Sequence, residues 1–221
     1  MKKVLLATAL SLCVASAFAA DTAVLQVKGK LTNAACTPQL SNGGVVDYGA
    51  IHLGELSATA VNQLGDKDIN LTITCGAPTQ VGWVVNDDRE SSKAGINIDY
   101  NGTMQNISYY QYGVGKTTGG VNIGNYMLSI KNKKVTIDGQ EGDEIYSNVD
   151  WNGSKWESGG AVRSDGISIM SAATTGTTTP VAFTTAVFPL VTSLAIQGTD
   201  TLAITDDTSL DGQATITLKY L

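Results

Sequence analysis

Chemistry-bearing side chains are scarce in this sequence. Its 221 residues include one His, three Cys and 14 Lys+Arg. A single imidazole and so few thiols leave little material for metal or nucleophilic chemistry. Basic residues are outnumbered by 20 Asp+Glu, for a formal net charge of -6 and a pI of about 4.6. Phosphate neutralisation needs a basic surface, so no nucleic-acid partner is expected. Only four Pro are present, and charged residues make up 15% against 43% hydrophobic. That balance is too apolar for disorder and rich enough for a core. What is plentiful is Gly, with 24 copies, together with Thr, Val and Ile. Strands and turns are the expected result.

The first residues read as an export signal. Met1-Lys2-Lys3 opens with positive charge, Val4 to Val14 is an apolar stretch, and Ala17-Phe18-Ala19 offers a small-x-small cleavage pattern. The apolar run is too short for a stable bilayer-spanning helix, and nothing downstream is long or apolar enough for one. Residues 1–19 are therefore expected to be a signal peptide, with the mature chain starting at Ala20. Losing Lys2 and Lys3 takes the net charge from -6 to -8. Cleavage also removes Cys13 and leaves Cys36 and Cys75 as the only pair. In an oxidising compartment an isolated pair most often becomes a structural disulfide. A redox or metal pair would call for C-x-x-C spacing or nearby His ligands, which the sequence lacks.

The remainder reads as strands. Residues 23–32 alternate, with Leu25, Val27, Gly29 and Leu31 on one face. Asp68 to Cys75 alternates strictly, with Ile69, Leu71, Ile73 and Cys75 together. Shorter runs follow at 81–85, 96–100, 108–112, 126–130, 135–137, 166–170, 181–188 and 194–197. The last, 214–221, places Ala214, Ile216, Leu218 and Tyr220 on one face. Gly, Asn, Asp and Pro punctuate the gaps, and Ser171 to Pro180 reads as a low-complexity loop. No segment shows a convincing apolar repeat at helical spacing. The pattern predicts an all-β sandwich or barrel.

The two ends carry the functional signal. The stretch Lys28-Gly29-Lys30-Leu31-Thr32-Asn33-Ala34-Ala35-Cys36, the second Cys about forty residues on, and the alternating end with penultimate Tyr220 together resemble pilin subunits of the chaperone–usher pathway. The region of about 86–170 is longer than in a minimal shaft pilin. In this respect the chain is nearer to an uncharacterised group of secreted fimbrial-like proteins. The resemblance implies an immunoglobulin-like (pilin-type) β-sandwich that lacks its last strand, with an incomplete C-terminal edge. It implies a donor-strand extension over 20–35, plugging through Leu25, Val27 and Leu31, with Gly29 facing a shallow pocket. It implies a sandwich domain over 36–221, whose Ala214, Ile216, Leu218 and Tyr220 line the acceptor groove or face the chaperone. The implied partners are a periplasmic chaperone, an outer-membrane usher and other fimbrial subunits, with passage through the periplasm to a surface fimbrium that contributes to adhesion. Three branched plugs at roughly 1.5–3 kcal/mol each, with a ladder of main-chain bonds, are ample for tight assembly.

Other motifs are weaker. Trp151 and Trp156 flank Asn152-Gly153, a hairpin signal. They are the candidate ligand-contact aromatics, of a kind that stacks on a sugar face. A monomeric adhesin, or a module binding a glycan or host protein receptor, is therefore the alternative reading. Asp206, Asp207 and Asp211 lack EF-hand spacing and read as a solvated acidic turn. Gly113-Val114-Gly115 does not complete a dinucleotide fingerprint. His52 has no Cys nucleophile available to it, and no Gly-x-Ser-x-Gly elbow occurs. No catalytic, metal or cofactor site is expected, and the chain is read as a non-enzyme.

Overall fold

The computed structural model describes residues 26–27, 35–148 and 155–221. The expected donor positions Leu25, Gly29 and Leu31, the expected turn at Asn152-Gly153 and Trp151 lie outside these residues. Residues Ala34–Leu221 form one compact unit.

Among the described residues the fold is all-β, and every strand pairing is antiparallel. The strands are β1 (Cys36–Leu40), β2 (Asn62–Thr79), β3 (Val81–Asp87), β4 (Ile98–Tyr100), β5 (Thr103–Gln105) and β6 (Gln111–Gly113). They continue with β7 (Gly124–Ile130), β8 (Lys134–Ile137), β9 (Gln140–Asn148), β10 (Ser168–Thr174), β11 (Phe183–Ile196) and β12 (Ala214–Tyr220). Ten of them make one sheet in the order β1-β2-β11-β8-β9-β10-β3-β12, with β7 also paired to β11, and β6 to β7. The other two, β4 and β5, form a separate hairpin. The ends of the order come close: the Cys36 N–H donates to the Tyr220 hydroxyl at 2.9 Å. The sheet thus curls into a nearly closed, sandwich-like barrel, and the Cys36–Cys75 disulfide joins β1 to β2 at a point where the two residues are in register.

Alternation explains the core. Ile69, Leu71, Ile73 and Cys75 all point inward from β2 and are buried. They pack with Trp83 and Phe188, whose rings meet edge to face at 5.5 Å. A second, smaller cluster joins Val114, Ile123, Leu194, Ile196 and Leu202. Tyr126 packs against both clusters and stacks on the buried Tyr112 at 4.8 Å.

Several elements depart from the sequence expectation. The runs at 181–188 and 194–197 are one 14-residue strand, β11, which continues through Pro189. Proline is tolerated because on that side β11 changes partner: β8 pairs Ala186 and Val187, and β7 begins at Leu190. The supposed loop from Ser171 begins as strand. Ser171–Thr174 complete β10, where Ala172 and Ala173 are fully buried and the Ser171 hydroxyl donates to the Val81 carbonyl at 3.0 Å. Ser108–Tyr110 is a single 3₁₀ turn, and the strand starts only at Gln111. The short α1 helix, Thr199–Leu202, inserts the buried Leu202 into the second cluster. The middle of the chain adds β6 to β9 to the main sheet.

Candidate functional site

The last strand is half-finished. Throughout its length β12 pairs with β3, from Ala214 opposite Asp87 to Tyr220 opposite Val81. Among the described residues its other edge meets no strand, and β1 likewise pairs only with β2. The two edges touch at the Cys36–Tyr220 hydrogen bond, and among the described residues no strand pairing joins them. Chain 45–52, between β1 and β2, has no regular strand pairing to close the gap.

A groove of about 900 Å³ occupies this seam. Its floor reaches the main core through Ile69, Val85 and Leu190, and the second cluster through Val114, Leu194 and Ile196. Tyr126, common to both clusters, also lines it. One wall is β12, contributing Ala214 and Ile216; the other is the irregular segment with Val46, Tyr48 and Ile51. That segment is anchored where the Tyr48 hydroxyl donates to the Thr192 carbonyl at 2.9 Å, and burial raises the pKa of this phenol. Among the described residues, the charged ones lining the groove are Asp47, Asp206 and Asp207, with no Lys or Arg, and His52 is the one imidazole.

The approach to β12 is fixed by charge and by space. The Arg89 guanidinium grips the Asp211 carboxylate through two bonds, at 2.9 and 3.1 Å. Asp87, at the end of β3, has a buried carboxylate that accepts the N–H groups of Arg89 at 2.9 Å and Gly113 at 3.0 Å. Burial raises its pKa, and those two bonds work against the rise. Gly212 then lets the chain pass tightly: a Cβ there would sit 3.2 Å from the Tyr126 ring.

The residues singled out from sequence are distributed as follows. Ala214 and Ile216 line the groove; Leu218 packs against the main core. Tyr220 keeps its ring exposed while its hydroxyl accepts the Cys36 N–H. Val27 is 90% exposed. Trp156 is half-buried. Among the described residues no group of His, Cys, Asp and Glu is placed to hold a metal ion, and Asp211 is engaged by Arg89.

Sequence reasoning missed Tyr48, Asp47 and the rest of the second wall, because 45–56 follows no strand period. It also missed Glu144, fully buried on β9. One carboxylate oxygen of Glu144 accepts the Gly159 N–H at 3.1 Å, while the other finds no partner among the described residues.

An open strand edge beside an apolar trough offers one kind of chemistry. An added strand would gain main-chain hydrogen bonds along the edge and bury alternate side chains in the trough. A family model described as "Protein of unknown function (DUF1120)" matches residues 25–127. Protein GltF of Escherichia coli (strain K12) is 31% identical over 245 residues, covering 96% of this chain and 94% of the relative. Uncharacterized protein YhcF of the same organism is 32% identical over 224 residues, covering 93% of each. The chain belongs to the DUF1120 family. Within this DUF1120 chain the matched span supplies the irregular wall and part of the groove floor. The remaining floor, from Leu128 onward, and the β12 wall lie beyond that span.

Proposed function

We propose that this DUF1120 protein is a non-enzymatic structural subunit of a bacterial surface fimbria, exported to the periplasm and polymerised by strand donation. The observation that carries this reading is that β12, among the described residues, is paired on one side only beside the 900 Å³ apolar groove. A permanently open edge over exposed apolar pockets invites association, and a natural protein is expected to cover it. The alternating segment over 20–35 is the expected cover, with Leu25, Val27 and Leu31 as plugs and Gly29 crossing a shallow position. It is supplied by a neighbouring subunit after a periplasmic chaperone has held the groove and an outer-membrane usher has received the complex.

Deleting residues 20–32 tests the assignment in cells. The shortened chain should reach the periplasm and bind the chaperone, because its groove is intact. Expressed as the sole copy it should form no fibres, as judged by electron microscopy and by heat-resistant ladders on gels. Fibres of normal length from the deleted chain would overturn the assignment.

A further inference from the structure

The groove and the segment proposed to fill it carry opposite charges. Among the described residues every charged one lining the groove is acidic, namely Asp47, Asp206 and Asp207. Asp206 and Asp207 are exposed and make no ion pair among the described residues. Asp47 shares a small surface hollow with Lys67, whose ammonium lies 5.8 Å from the centre of the neighbouring Tyr48 ring. In 20–35 the period-2 pattern that places Leu25, Val27, Gly29 and Leu31 on one face places Gln26, Lys28, Lys30 and Thr32 on the other. Lysines at alternate positions of an extended strand project to the same side, roughly 7 Å apart. A strand seated with its apolar face in the trough therefore presents both ammonium groups outward.

We infer that Lys28 and Lys30 pair with the acidic rim formed by Asp47, Asp206 and Asp207, selecting the basic leading segment of a second copy of this chain as the groove's occupant. This rests on the strand-donation reading and adds to it a determinant of partner choice. Apolar plugs of this size are interchangeable among many β segments, so burial alone discriminates poorly. In a chain with a formal net charge of -6, closely spaced lysines past residue 19 occur only at Lys28 and Lys30 and at Lys131, Lys133 and Lys134, and of these two segments only the first alternates with apolar plugs. Complementary charges at a rim act mainly on encounter and on rejection of wrong partners. Exposed pairs add little to final affinity.

The test uses the full mature chain and fluorescent peptides spanning residues 20–33, mixed in stopped flow. The native peptide should bind, and its association rate should fall about tenfold between low and physiological salt, as steered encounters do. Replacing Lys28→Glu and Lys30→Glu together in the peptide should slow association at low salt about tenfold or more, with a smaller change in dissociation. Changing Asp206→Lys and Asp207→Lys in the protein should restore the rate of the reversed peptide and slow the native one. If native and reversed peptides bind equally fast at every salt concentration, the charge inference is overturned and the groove reading stands. If neither peptide binds, nor competes with the other, both fall together.

Discussion

Glu144 shows what burial does to one side chain. It sits on β9, fully buried, and among the described residues has a single N–H bond from Gly159 and one oxygen without a partner. Burial lifts its pKa from the ordinary 4.5 to about 7, while the Gly159 N–H and Lys133 pull the other way. The unfolded carboxyl therefore ionises first, and the folded one still holds its proton between those values. With fewer protons bound in the unfolded state, stability contributed by this group falls as pH rises from about 4.5 to 7, then levels off. Asp87 adds the same sign, whereas the lowered carboxyls of Asp138, Asp143 and Asp165 add the opposite. The substitution Glu144→Gln removes only the first contribution. Its stability relative to the parent should improve between pH 5 and pH 8 by about 2–3 kcal/mol. Urea unfolding at the two pH values measures this, and an equal difference at both would refute it. At this scale the sequence is a partial guide. Ala214 and Ile216 are legible as groove residues because strict alternation fixes their face. Glu144 is not, because β9 opens Gln140-Glu141-Gly142-Asp143, a polar run whose inward positions are visible only once β8 and β10 flank it.

Among the elements, β1 depends most on a covalent tie. It is five residues long, pairs on one side only among the described residues, and starts at the cysteine joined to Cys75. A short strand with one partner frays readily. The disulfide closes a loop with a sequence separation of 39 residues, worth roughly 3–4 kcal/mol on the chain-entropy model. Replacing Cys36→Ala and Cys75→Ala together should lower the urea midpoint accordingly, and should also raise amide exchange in β1 and at Tyr220, whose hydroxyl holds the Cys36 N–H. Loss of protection confined to regions away from β1 would contradict this. The disulfide pairing was readable from cysteine arithmetic, as was the inward face of β2. Strand lengths were not. Pro189 reads locally as a breaker, and only the change of neighbour from β8 to β7 makes it harmless. Ser171–Thr174 read as loop by composition, yet small side chains suit a strand packed tightly between β9 and β3. The irregular wall over 45–56 has no periodicity to read, so half of the groove was invisible before the fold was known.

For the whole molecule, the proposed strand donation would make each subunit two-ended, one end donating and the groove accepting. Such a head-to-tail contact would be heterologous and, with a rotation that closes no ring, would extend identical units into a filament. Two variants separate the ends. Removing residues 20–32 abolishes donation and leaves the groove. The substitution Ile216→Arg puts a charge on the β12 wall of the groove while leaving the leading segment whole; Ile216 is only partly buried and pairs opposite Val85, so the sheet itself should persist. A cation on the apolar wall opposes a plug through desolvation. Each variant alone should stay monomeric in light scattering. Mixed in equal amounts, they should form a dimer and nothing larger, because the Ile216→Arg chain donates once and the shortened chain accepts once. Circular dichroism matching the parent would establish that both variants fold. Larger species in the mixture would mean that a second contact drives assembly, and a mixture of folded monomers would mean that the leading segment does not enter this groove.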